Sequence, residues 1–213
     1  MIDRCWSNVN ETSVGLQGDL ARPPITIDMD GVLCQPVLWL NLGISRRIRT
    51  EPPPDWPPQV RATVRKARRN LWLLVDWLRY GWRSPLPDAR EGLAALREVR
   101  TPILLTGRSG ILRPLVEGWL RKHHMAEYFD EVQLNEWPVP ARQYKLQMVR
   151  QRGAREHVDD DGSVAYYLAH HGVPRVYLRD WPLNRNLPYP PNVRVYRRLV
   201  EVAEDLARGG AES

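Results

Sequence analysis

Acidic side chains stand where apolar runs end. Asp28 and Asp30 close "ITIDMDG" (25–31), and Asp159, Asp160 and Asp161 close "REHVDDD" (155–161). Between them come Thr106 and Gly107 at the end of "TPILLTG" (101–107), and Lys145 within "ARQYKLQ" (141–147). Several carboxylates gathered at one point repel one another unless a cation joins them, and oxygen-only ligands favour a hard ion such as Mg2+. Magnesium with one lysine and one hydroxyl donor makes a receptor for a phosphoryl group, whose oxygens need neutralising during transfer. One of two neighbouring acids can then attack phosphorus while the other handles protons.

Composition sharpens the lysine. Of 31 basic residues only Lys66, Lys122 and Lys145 are lysines. A lysine kept at position 145 in so arginine-rich a chain points to a need for a compact, mobile ammonium.

The elements that must position these groups follow from the pattern. Strands are expected at 24–30, 101–107, 130–136, 155–161 and 174–180, and helices at 87–100, 111–124, 141–153, 162–172 and 197–209, with Asp88 as N-cap of the first. Strands alternating with helices predict an α/β fold, a Rossmann-like three-layer parallel sheet. A strand covered on both faces is apolar along its length, and its C-terminal end opens into the crevice where such proteins bind ligands. In a parallel sheet the C-terminal ends lie along one edge, so residues more than a hundred positions apart can converge there.

Between the first strand and the next helix the pattern breaks. "PPPDWPPQ" (52–59) and "SPLPD" (84–88) bracket a basic, Trp-rich helical run over 60–83. So long a connection predicts a small inserted helical cap at 35–86, with 1–34 and 87–213 forming the core. Ten Lys/Arg against three Asp/Glu lie between Ser45 and Ser84, so the net charge of +6 belongs to that segment. Arg61, Arg65, Arg68, Arg69, Trp72, Trp77, Arg79 and Trp82 could meet nucleic acid or an anionic membrane surface, or simply pack the cap on the core. Only two cysteines, Cys5 and Cys34, are present, which excludes a disulfide framework; Cys34 is expected to be structural. The N-terminal twenty residues lack a signal-peptide pattern and no apolar run reaches membrane-spanning length, so a cytoplasmic protein is expected.

"DMDGVL" (28–33), "LLTGR" (104–108), Lys145 and "VDDD" (158–161) resemble the four motifs of the haloacid dehalogenase (HAD) superfamily, in that family's order. The resemblance implies Asp28 as nucleophile and magnesium ligand. Asp30 would be general acid and then base, its carbonyl also on the metal. Thr106, Gly107 and Arg108 would hold the phosphate or substrate, Lys145 would neutralise Asp28 and the phosphate, and Asp159 would ligate magnesium, directly or with Asp160. Asp161 is expected to cap the following helix.

Within the superfamily, Asp30 argues against a dehalogenase, and the lone cap lysine, Lys66, against a Schiff-base phosphonate hydrolase. The pump ATPase signature is absent. The expectation is a Mg2+-dependent phosphatase acting on a small phosphorylated substrate. "LRDWPLNRNLP" (178–188) is similar to the 5′(3′)-deoxyribonucleotidase branch, which would make the substrate a nucleotide; the alternative for that stretch is a loop closing the sheet edge. Two other readings are a binding module for nucleic acid or membrane on this fold, and a polynucleotide 3′-end phosphatase.

Overall fold

The computed structural model describes residues 22–36, 47–56, 82–137 and 139–209. Its strands are β1 (Pro24–Ile27), β2 (Thr101–Ser109), β3 (Glu131–Asn135), β4 (Glu156–Asp159), β5 (Arg175–Arg179) and β6 (Val193–Tyr196). Its helices are α1 (Ala89–Val99), α2 (Arg113–Lys122), α3 (Ala141–Gln151), α4 (Gly162–His170) and α5 (Leu199–Gly209). The strands form one sheet in the order β3-β2-β1-β4-β5-β6, and every pairing is parallel. The expected fold class is the one observed.

Side chains alternate across each strand, so one strand feeds two layers. Ile25, Ile27, Leu104 and Val158 pack beneath Leu93 and Leu96 of α1, Trp119 and Leu120 of α2, and Val202 and Leu206 of α5. On the opposite face Leu105, Val176 and Leu178 pack beneath Leu146 and Val149 of α3 and Val164 and Leu168 of α4. Each such aliphatic side chain, once fully buried, stabilises the fold by about 2 kcal/mol.

Three local readings are corrected. The run expected as one helix from 111 opens as a 3-10 turn over Gly110–Leu112, and α2 begins only at Arg113, with Pro114 in its first turn where no N–H is needed. The edge strand β6 escapes the pattern because Arg194 and Val195 are exposed and only Tyr196 is fully buried. Asp88 precedes α1 without a side-chain cap bond. Its Oδ2 instead accepts from the Leu199 amide at 2.7 Å, capping α5, and its Oδ1 accepts from Arg179 at 2.8 Å.

The expected cap helix over 60–83, and with it Arg61, Arg65, Arg68, Arg69, Trp72, Trp77 and Arg79, lies almost entirely outside the described residues, as does Cys5. The roots of that segment are described. Gln35 N–H donates to the Ser84 carbonyl at 2.9 Å and Leu86 N–H to the Leu33 carbonyl at 2.8 Å, so the chain leaves and re-enters side by side. Residues 47–56 lie against the α3 face, where Glu51 pairs with Arg142 and Trp56 meets Trp137 edge to face at 5.3 Å. Among the described residues no helix is long and apolar enough to cross a membrane.

Asp88 ties α1, β5 and α5 together, and it yields a stability test. Burial resists its ionisation, but the Arg179 guanidinium and the Leu199 amide outweigh burial and hold the carboxyl below its ordinary value. Replacing one partner of a buried pair leaves the other uncompensated, so Asp88→Ala should lose about 3 kcal/mol at pH 7 in urea unfolding. A depressed native pKa contributes its full stability above the unfolded carboxyl value of about 4 and loses it as pH falls below that value through the lower native one, so the gap between parent and variant should narrow there. A gap independent of pH would mean that the charge on Asp88 contributes nothing.

Candidate active site

The strand register gathers the sequence-marked residues. Ile27 lies opposite Leu104 of β2 and Val158 of β4, so Asp28, Thr106 and Asp159 leave the sheet at one C-terminal edge. The Asp28 amide extends the ladder, donating to the Val158 carbonyl at 2.9 Å. Ile25 and Ile27 face the α1 side, so Thr26 and Asp28 face α3, the helix that carries Lys145.

Lys145 joins two of the acids. Its Nζ lies 2.7 Å from Asp159 Oδ2 and 3.0 Å from Asp28 Oδ1, and all three side chains are buried. Burial pushes the Asp28 carboxyl up to about 7, against the pull of Lys145. Burial works the same way on Asp159, but there Lys145 and His157 outweigh it and the group is held far below its usual range. Lys145 is correspondingly raised, its desolvation outweighed by Asp159 and Asp28.

Asp159 is saturated with donors. Its Oδ1 accepts from the amides of Asp160 and Asp161 at 2.9 and 3.0 Å, and its Oδ2 from Lys145 and His157 at 2.7 and 2.8 Å. Ligand atoms of Asp28, Asp159 and Asp160 nevertheless lie within 4.8 Å of one another, a spacing and an all-oxygen donor set that suit a hard divalent cation. The loop after β1 comes hard against this cluster. Gly31 has φ +65°, and a Cβ there would fall 1.8 Å from Asp160 Oδ2, so only glycine fits.

Asp30 is held apart from the lysine, by arginines. Arg108 donates through Nε to Oδ2 at 2.9 Å and through Nη2 to Oδ1 at 2.7 Å, a two-pronged grip, and Arg83 also pairs with Oδ1. Burial opposes ionisation of Asp30, yet Arg108 first and Arg83 second bring it down to about 2. Arg108, expected from its motif to hold phosphate, therefore has its guanidinium on Asp30. Its backbone amide lies 3.3 Å from Thr106 Oγ1, which accepts from it. Cys34 is buried, with Sγ 3.6 Å from Asp30 Oδ1, and burial pushes its thiol up to about 12, as befits a structural cysteine.

Two further supports come from the stretch after β5. Asn184 Nδ2 donates to the Asp160 and Arg179 carbonyls at 2.8 and 3.0 Å, while its Oδ1 accepts from the Gly162 amide at 3.1 Å. Trp181 Nε1 reaches the Gly31 carbonyl at 3.3 Å. Asp161 caps α4 as expected, accepting from the Ser163 amide at 2.7 Å. Sequence reasoning passed over three residues that touch the site: Arg83, Thr26 and His157. For the last two the available signal was a polar residue two positions before an acid in a buried strand, hence on the same face.

No protein-family model matches this chain, and no curated protein matches it. Solved structures do. A haloacid dehalogenase-like family hydrolase from Streptococcus pneumoniae is 14% identical, with a TM-score of 0.57 over 86% of this chain and 98% of that one. A protein provisionally assigned as a phosphoglycolate phosphatase, from Lactobacillus plantarum, is 12% identical, with a TM-score of 0.56 over 87% of this chain and 99% of that one. A haloacid dehalogenase-like hydrolase from Xanthomonas campestris is 14% identical, with a TM-score of 0.53 over 91% and 99%. The sheet order, the acids at its edge and these likenesses agree: the chain has the fold of the haloacid dehalogenase superfamily hydrolases.

Proposed function

We propose that this protein is a Mg2+-dependent phosphatase that hydrolyses a small phosphomonoester through an aspartyl-phosphate on Asp28. The observation that carries the reading is one buried ammonium, Lys145, shared between Asp28 and Asp159 beside Asp160. Such a set has little structural use, since buried like charges are costly, but it suits a phosphoryl group whose charge needs compensation.

Asp28 attacks phosphorus as the bond to the leaving oxygen breaks, and that oxygen takes its proton from Asp30. Water then attacks the phosphorus of the acyl phosphate, giving a proton to Asp30, and Asp28 departs as carboxylate. The grip of Arg108 and Arg83 favours the ionised Asp30, the form that accepts the proton from water, so Asp30 can serve as the acid of the first step only if bound substrate draws those arginines off its carboxylate and it takes up a proton. Thr106 and the Gly107 amide would hold the phosphoryl oxygens while Lys145 offsets their charge.

Asp28, Asp160 and the Asp30 carbonyl would hold the magnesium ion, which when bound would neutralise charge on the phosphoryl oxygens. Asp159, with two donors on each oxygen, would act instead as the anchor of Lys145. These groups recognise a phosphoryl group and nothing beyond it. Choice among phosphomonoesters, nucleotides included, would fall to the segment between Gln35 and Ser84.

Asp28→Asn should leave the far-ultraviolet circular dichroism unchanged and lower phosphate release from p-nitrophenyl phosphate or nucleoside monophosphates by at least about 10³-fold. A folded variant with parental turnover would remove Asp28 as nucleophile.

Removing divalent ions with EDTA should silence the enzyme and added Mg2+ should restore it. Calorimetric titration should give Asp160→Asn a Mg2+ affinity at least about tenfold weaker, while Asp159→Asn should lose mainly kcat. The opposite assignment of the two effects would make Asp159 the ligand.

A further inference from the structure

We propose that His157 is a positioning residue for this reaction: it fixes Asp159, and through Asp159 the ammonium of Lys145 on Asp28, with Thr26 setting its tautomer. The inference rests on the phosphatase reading above, and it concerns a residue that none of the four motifs includes.

The contacts form one buried chain. Thr26 Oγ1 lies 2.8 Å from His157 Nδ1, and His157 Nε2 lies 2.8 Å from Asp159 Oδ2. The same Oδ2 receives Lys145 at 2.7 Å, and Lys145 lies 3.0 Å from Asp28 Oδ1. Thr26 and His157 are registered opposite each other on β1 and β4, and both are completely buried.

The partners dictate where the protons are. An ionised carboxylate only accepts, so Nε2 must carry the hydrogen that faces Asp159. The other ring nitrogen, Nδ1, faces the Thr26 hydroxyl, which can donate to it and so complete the Nε2–H form. The Glu156 carbonyl is the more distant alternative for that hydroxyl, at 3.3 Å. Each of the two ring nitrogens has one partner, and the ring cannot turn without losing both.

This matters because Lys145 answers to two carboxylates. If Asp159 could rotate, its Oδ2 would carry the ammonium with it, away from Asp28. The two backbone amides hold Oδ1, but a carboxylate gripped by one oxygen can still swing the other. The imidazole N–H supplies the second fixed point.

The test compares His157→Leu, His157→Gln and Thr26→Val with the parent, using p-nitrophenyl phosphate and Mg2+. His157→Leu should lower kcat about 10- to 100-fold with KM nearly unchanged, the range seen when an outer support of a catalytic ligand is removed. His157→Gln, whose amide N–H can replace Nε2, should recover most of that loss, and Thr26→Val should lose only a few-fold. Nitrogen NMR of the parent should find His157 neutral and protonated on Nε2. That measurement needs no turnover and decides the matter if His157→Leu fails to fold. A His157→Leu enzyme with parental kcat, failure of His157→Gln to recover activity, or a ring protonated on Nδ1 would each overturn the proposal. If the parent releases no phosphate with Mg2+, the phosphatase reading falls by itself, and the tautomer still decides the role of His157.

Discussion

One buried ammonium holds the acidic edge of this sheet together. Asp28 and Asp159 sit deep in the protein, and two carboxylates so placed would each carry several kcal/mol of uncompensated desolvation. Lys145 meets both within 3.0 Å, and among the described residues no other cation pairs with both. The helix that delivers it is therefore fixed at several points. Leu146 and Val149 pack into the sheet face, and Tyr144 donates to the Leu134 carbonyl at 2.6 Å, one residue from the lysine itself.

The same constraint explains how four-residue β1 serves two purposes. Ile25 and Ile27 fill the core on one side, and Thr26 and Asp28 turn toward α3 on the other. Strand β4 repeats the division, with Val158 in the core and His157 and Asp159 on the chemical side. Packing and reactivity are thus separated by the period of the strand rather than by distance. The loops beyond the strands are then braced against each other: Gly31 abuts Asp160, Trp181 holds the Gly31 carbonyl, and Asn184 holds the Asp160 carbonyl.

This division decides what could be read from the sequence. The strand-helix alternation and the acids at strand ends were legible because apolar runs that stop at a carboxylate have few other meanings. Asp28, Asp159 and Asp160 are legible for that reason, Lys145 because lysine is so scarce in this chain, and the structure brings the four together. His157 was not, because a histidine inside an apolar strand looks like any tolerated core residue until its partners are known. Asp88 misled for the converse reason. Its position before a helix is that of a cap, but its carboxylate serves Leu199, 111 residues away, and no local pattern encodes that partner. Strand β6 was invisible because an edge strand with one fully buried residue has no apolar run to betray it.

Arg108 and Arg83 extend the logic from the sheet to the stretch between β1 and α1. Arg108 belongs to the core motif at the end of β2, but Arg83 lies beside Ser84, whose carbonyl receives the Gln35 amide where the chain departs and returns. Trp119 fixes the Arg83 carbonyl with a 2.7 Å bond from its indole, so the backbone at this point is tied to α2 while the side chain is tied to Asp30. The Asp30 carboxylate is thus gripped by Arg108 from the end of β2 on one side and by Arg83, beside Ser84, on the other. Arg83 also reaches Cys34 Sγ at 3.7 Å, and that thiol lies against Asp30, so the residues beside Ser84 meet Asp30 both directly and through Cys34. The described residues that return the chain to the sheet edge are therefore bonded to the acidic edge itself.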